Sequence, residues 1–263
     1  MLALITLLLA TACGGSVAST DGEAGASAAT DGAAITVAAA SDLRLAFEEL
    51  GAAFTADTGT AVTFTFGSSG QLREQIVNGA PFDLFASANV EFVDDVIDAG
   101  LGDPATKAHY AEGRIALHAA PGAPLPADVE DLADPAYERI AIANPDHAPY
   151  GIAARDALER SGVLGAVEPR LVLGENISDT LRITDSGNAD VGIVSLSLVI
   201  TGDTPYTLVD EALHEPLRQA LVVTGDGPGA EPAAAFAGFV ASPAGREVMV
   251  RYGFVLPGET APS

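Results

Sequence analysis

The chain has 263 residues, 48% of them hydrophobic and 18% charged, which is enough apolar material for a buried core and excludes a disordered polymer. It carries 36 acids against 12 bases, for a net charge of −24, and Lys107 is the one lysine. A surface that negative argues against nucleic acid and anionic membrane faces as partners.

Residues 1–12 (Met-Leu-Ala-Leu-Ile-Thr-Leu-Leu-Leu-Ala-Thr-Ala) form an apolar run that is too short to span a bilayer and ends in small residues just before Cys13-Gly-Gly-Ser. This pattern predicts a signal peptide over 1–12 and, as in bacterial lipoproteins, lipidation of Cys13. The plainer alternative is an ordinary secretory signal with an incidental cysteine. Cys13 is the only cysteine, which favours the lipoprotein and leaves no intramolecular disulfide. Residues 13–33 are rich in Gly, Ala, Ser and Thr and read as a flexible tether.

From Ala34 onward strands and helices alternate. The pattern predicts a strand over Ile35–Ala40, a helix over Leu43–Thr58 stopped by Gly59, a strand over Val62–Phe66 and a helix over Gln71–Asn78. A turn at Ala80-Pro81 then leads into a buried strand through Ser87, followed by a helix over Val90–Ala99. Arg114–Ala119 is a strand that opens a second region, in which 125–132 is loop and short helix. Strands at Arg139–Ala143, Arg170–Leu173 and Asp190–Val194 alternate with helices ending at Arg160 and Ser186. A strand over Leu217–Val223 and helices over Glu231–Ala241 and Ala244–Tyr252 close the fold, and 257–263 reads as a frayed tail. This is an α/β class with mostly parallel sheets flanked by helices.

In such sheets ligands sit beyond the carboxyl ends of strands, at helix starts. That rule selects Ser41, Gly67–Gly70, Pro149–Gly151, Asn176–Ser178 and Ser195–Ser197, which come from both halves of the chain, and a cleft between two lobes is the natural geometry. Ser41 and Ser69 stand at helix entrances, where unpaired N–H groups and the positive end of the helix dipole favour an oxyanion. Serine is also an ordinary N-cap, so either residue alone says little; together in one α/β unit they point to an anion site. Nucleotide binding lacks its Gly-rich fingerprint and its phosphate-loop lysine. A hydrolase working through Ser69 lacks both a Gly-x-Ser-x-Gly elbow and a base beside the serine. His109, His118, His147 and His214 are scattered without metal-ligand spacing, and His147 reads as a loop-shaping residue. The acid pairs Glu48–Glu49 and Asp94–Asp95 read as solvated helix faces.

Six segments in order converge on one family: Ala38-Ala-Ala-Ser41, Phe66-Gly-Ser-Ser69, Gly79-Ala-Pro-Phe-Asp83-Leu-Phe-Ala-Ser87, Asn144-Pro-Asp-His-Ala-Pro-Tyr-Gly151, Ala189-Asp-Val-Gly-Ile-Val194 and Arg251-Tyr-Gly-Phe254. Through them the chain resembles the periplasmic molybdate-binding proteins of ABC importers over roughly residues 34–256. The resemblance implies a two-lobed, type II periplasmic-binding-protein-like fold. Its lobe 1 is expected over 34–112 and 222–256, and its lobe 2 over 113–221. It implies a monomeric, extracytoplasmic lipoprotein that binds molybdate or tungstate and hands it to a permease with its ATPase. No enzyme activity, no cofactor and no direct metal-cation ligand are implied. Ser41 and Ser69 match the family's oxyanion-binding serines, and Tyr150 and Ile177 fall where backbone N–H groups are used. Ser195 stands where the family often has a tyrosine hydroxyl. Sulfate or another oxyanion is the alternative ligand, and a sensory or adhesive module that keeps the fold is the alternative role. Molybdate carries no proton near neutral pH and calls for donors only. Asp42 and Asp146 lie close enough to offer an acceptor, and Asp42 is expected to cap its helix and face away.

Overall fold

The computed structural model describes residues 34–260. The expected signal peptide, Cys13, the tether and residues 261–263 lie outside the described residues.

The fold begins with β1 (Ala34–Ala40), a 3-10 turn over Ser41–Leu43 and α1 (Arg44–Thr58). β2 (Ala61–Gly67) leads into α2 (Ser69–Val77), and β3 (Leu84–Ser87) leads into α3 (Glu91–Asp98). β4 (Ala108–Gly113) and β5 (Ile115–Ala119) follow almost end to end. Then come β6 (Ile140–Ala143), α4 (Pro149–Arg160), α5 (Leu164–Val167), β7 (Leu171–Gly174) and α6 (Ile177–Asp185). β8 (Val191–Ser195), α7 (Leu196–Val199) and β9 (Tyr206–Leu208) complete the middle of the chain. β10 (Leu217–Val223), α8 (Ala230–Ala241) and α9 (Pro243–Arg251) end it. The expected strands and helices agree with these to within a residue or two at most ends. β4, α5, α7 and β9 were not anticipated.

Among the described residues the strands form two five-stranded sheets, β2-β1-β3-β10-β4 and β7-β6-β8-β5-β9. Both repeat one pattern: the first three strands pair parallel, and the last two join antiparallel. In each sheet four strands run one way and one, β10 or β5, runs against them, so the sheets are mixed but mostly parallel in direction, as expected. The reversed strands are the two that arrive from the other sheet, β5 directly after β4 and β10 after β9, and neither enters through a parallel crossover. β10 lies wholly in the first sheet, so the chain returns to it before Leu217, earlier than the expected boundary at 221/222.

β1 sits between β2 and β3 under helices, and its Val37–Ala40 run is buried on both faces. Small alanines there let α2 and α8 approach closely. The α1 stripe Ala46, Phe47, Leu50 and Phe54 is buried, and Phe47 meets Phe236 of α8 edge-on at 5.9 Å between ring centres. Gly51 lets this packing be close, since a Cβ there would lie 2.7 Å from the Phe64 ring and push it aside. Gly59 at φ 77° ends α1 in the left-handed conformation. At the amino end of β1, Asp83 accepts hydrogen bonds from Thr36 N–H at 2.7 Å and Thr36 Oγ1 at 2.9 Å. The Pro-Phe-Asp segment thus anchors the sheet at the end away from Ser41. The tail is less frayed than expected as far as it is described, because Glu259 pairs with Arg246 of α9 at 2.7 Å.

Candidate anion-binding site

The carboxyl ends of β1, β2, β6 and β7 face one another across the two sheets. Each feeds a helix start, and together they close on a small cavity of ≈ 10 Å³, the room left for the centre of a water-sized sphere. Ser41, Ser69, Tyr150 and Ile177 all line it, and all are at least 97% buried. The expected residues are therefore brought together from four separate loops, with Ser195 the exception.

Ser69 opens α2, and its Oγ accepts the Ala88 N–H at 3.0 Å. Ser41 Oγ accepts the Ser178 N–H at 3.3 Å, and Ser178 Oγ donates to Ser41 O at 2.9 Å. In both cases the serine oxygen is held as an acceptor while its own proton has no protein acceptor among the described residues. Each hydroxyl is thus fixed in place and keeps a donor to offer. The N–H groups of Tyr150 and Ile177 belong to the first turns of α4 and α6, where a helix leaves its donors unpaired, and neither has a protein acceptor. Asn176 caps α6 through the Asp179 N–H at 3.0 Å, which leaves the Ile177 position open. The lining contains no Lys, Arg or His. Among the described residues no cluster of His, Cys, Asp or Glu could hold a metal ion.

Hydrogen bonds also tie the two sides of the cleft together. Ser68 Oγ donates to His147 O at 2.5 Å, and Gly70 N–H donates to the same oxygen at 3.0 Å. His147 Nδ1 stands 2.8 Å from Ser68 Oγ, whose proton is already used, so the ring carries its proton on Nδ1. His147 is therefore more than a loop-shaping residue: it latches the cleft. α2 and the loop before α4 meet so closely here that a Cβ on Gly70 would lie 2.7 Å from His147 O.

Two expectations are corrected. Asp42 does not cap its helix; the turn at Ser41–Leu43 has no side-chain cap. Its side chain turns inward, is 1% exposed and borders the cavity. Oδ2 accepts hydrogen bonds from Gln219 Nε2 at 2.6 Å and Tyr150 OH at 3.0 Å, and Oδ1 is buried without a partner. Burial is the main cause that raises its pKa to about 6; the bonds from Gln219 and Tyr150 oppose the shift. Tyr110 OH donates to Gln219 Oε1 at 2.8 Å and extends this chain of polar groups. Burial and the Asp42 charge hold Tyr150 and Tyr110 well above the usual phenol range, so both stay neutral donors.

Ser195 does not line the cavity. It is fully buried, and its Oγ lies 2.6 Å from Ser197 Oγ, which in turn donates to Asp42 O at 2.7 Å. A serine cannot span the distance a tyrosine would, and its proton is drawn into this chain behind the cavity. Gln219 escaped the sequence reading, whereas Asp42 was noticed there and given the wrong orientation. A glutamine directly before the apolar run Ala220–Val223, on a strand where Arg218 is the exposed residue, was the available signal.

With this geometry established, comparisons with known proteins place the chain. A family model for bacterial extracellular solute-binding proteins matches residues 35–255. The chain is 37% identical over 213 residues to the molybdate-binding protein ModA of Rhodobacter capsulatus, covering 79% of this chain and 82% of the relative. It is 26% identical over 257 residues to the putative ABC transporter substrate-binding lipoprotein YvgL of Bacillus subtilis strain 168, covering 96% and 95%. The solved periplasmic molybdate-binding protein of Azotobacter vinelandii superposes with a TM-score of 0.80 at 30% identity, covering 85% of this chain and 99% of that one.

Proposed function

This chain belongs to the family of bacterial extracellular solute-binding proteins, and from that premise we propose that it captures molybdate or tungstate outside the cytoplasm for an ABC importer. The observation that carries the proposal is the donor set. Two fixed serine hydroxyls keep free protons, and two helix-start N–H groups without acceptors line the same buried cavity. A tetrahedral dianion that carries no proton is the ligand such a set suits. Ser41 and Ser69 donate through Oγ, and Tyr150 and Ile177 donate through the backbone. All four bond to the anion's oxygens, and no residue ligates the metal atom.

The two sheets form the cores of two lobes that part to admit the anion, and the Ser68–His147–Gly70 contacts and the Ser41–Ser178 pair remake when they close. The protein does no chemistry on its ligand; it passes the anion to a permease and its ATPase. A lipid anchor at Cys13 is supported by the leader pattern and by the lipoprotein named among its relatives.

Calorimetric titration of the purified protein with molybdate, tungstate, sulfate and phosphate tests this. Tight binding of the first two alone is expected. Preference for sulfate or phosphate would keep the fold and overturn the ligand.

A further inference from the structure

A cavity built to donate to a dianion should not border a buried carboxylate, yet Asp42 borders it. Its Oδ2 is satisfied twice, by groups from α4 and β10, and its Oδ1 is buried without any partner. A buried polar atom with no partner is rare enough to need an account. An ionised Oδ1 would repel the anion across a distance too short for solvent to screen. A protonated Oδ1 would be a further donor to it. Resting on the molybdate reading above, we infer that Asp42 is a fifth anion-binding residue: it takes up one proton from solvent as the cleft closes on a dianion, and donates through Oδ1–H. It then supplies the side-chain donor that Ser195, held by Ser197 behind the cavity, does not.

The surroundings of Asp42 allow this. From α4 it is faced by Tyr150, from β10 by Gln219, and from β4 by Tyr110. Ser197, after β8, bonds only to its backbone oxygen. The titratable groups among these are the two tyrosines, both neutral throughout the accessible pH range. The interactions acting on the carboxyl are its burial and hydrogen bonds, with no cation among them. A resting pKa raised to about 6 leaves the group mostly ionised at neutral pH, yet close enough to titration that a dianion alongside carries it across.

The test is titration of the protein with sodium molybdate, and in parallel with sulfate where it binds, in two non-phosphate buffers of different ionisation enthalpy. At about pH 7.5 the uptake should approach one proton per anion, and affinity should fall by nearly tenfold per pH unit between about pH 7 and pH 8.5. Asp42→Asn should bind without proton uptake and with affinity independent of pH. Tyr150→Phe removes a hydrogen bond to the ionised form and should lessen the uptake at fixed pH. Binding by the unaltered protein with no proton uptake overturns the inference alone, as does full uptake in Asp42→Asn. No heat with molybdate, tungstate or sulfate at any pH overturns the ligand reading along with it.

Discussion

Gly70→Ala separates folding from capture. Gly70 sits in the first turn of α2, and its φ is outside the left-handed region, so the helix itself tolerates alanine and gains about 1 kcal/mol of propensity. The obstacle is across the cleft, where the new Cβ would stand 2.7 Å from His147 O, 3.0 Å from His147 Cβ and 3.1 Å from His147 Cα. Two of these three atoms are backbone, so relief requires the two sides to separate by roughly half an ångström or more at this point. That movement strains or breaks two hydrogen bonds to His147 O, from Gly70 N–H and Ser68 Oγ. At about 1 kcal/mol each, the closed state loses about 2 kcal/mol while an open state loses nothing. Only the closed state binds tightly, so Kd should rise roughly 30-fold, chiefly through faster release. Calorimetry with molybdate, stopped-flow release and thermal unfolding without ligand would measure all three quantities. An alanine variant that binds as tightly as the unaltered protein would refute the closure contact. One that binds weakly only because it melts early would refute the claim that the cost falls on closure.

Ser41→Ala and Ser69→Ala should each weaken anion binding by about 1.5–3 kcal/mol, and unchanged affinity in both would remove the site. Ser69→Ala also strands the buried Ala88 N–H, so its melting temperature should fall as well. Ser195→Tyr should destabilise the protein by about 1–3 kcal/mol and not tighten binding, because Ser195 is fully buried and behind the cavity; tighter binding would show that a hydroxyl at 195 reaches the anion. In the ligand-free protein Asp42 titrates at about 6 folded against 3.8 unfolded, so between these values the folded state holds a proton that the unfolded state has released. Its contribution is fully favourable below about pH 4 and is lost as pH rises through about 6, about 3 kcal/mol in all. Asp42→Asn should therefore be the more stable protein at pH 7 by about 1–3 kcal/mol, with the difference shrinking toward pH 4 in urea titrations; parallel pH curves for the two proteins would contradict this. Finally, the association rate for molybdate should rise with salt, since a net charge of −24 repels a dianion by ~3 kcal/mol when spread over a sphere of this size.

What could be read from the sequence was what is local. A short apolar strand followed by a serine at a helix start is a contiguous pattern, which points to Ser41 and Ser69; Tyr150 and Ile177 came with the family resemblance, and all four line one cavity. β4 escaped because it is an edge strand whose residues Ala-His-Tyr-Ala-Glu-Gly show no alternation, and β9 because three half-buried residues make no pattern. Asp42 was misread for a deeper reason. An aspartate at a helix entrance ordinarily serves its own helix, but this one is claimed by Tyr150 and Gln219, 108 and 177 positions away. His147 likewise finds Ser68 at a separation of 79 residues. Such partnerships exist only once two sheets have met, and a single sequence holds no trace of them beyond the glutamine at the head of the apolar run Ala220–Val223.

The acidity of the chain and the neutrality of the cavity lining belong to one argument. No basic side chain lines the cavity, and pairs such as Arg246 with Glu259 and Arg182 with Asp179 lie on the surface. Hydroxyls and N–H groups are dipoles, whose attraction fades within a few ångströms, so an approaching anion meets only repulsion until it touches them. Four aimed donors at about 1.5–3 kcal/mol each then exceed the ~3 kcal/mol of repulsion several times over. A fixed lysine or arginine in the cavity would attract every small anion alike from a distance. A donor-lined cavity that acts only on contact leaves discrimination to fit: an anion too small cannot reach all four donors, and one too large holds the Gly70–His147 contact open. The absence of a cation from the lining is thus the condition under which size decides the ligand.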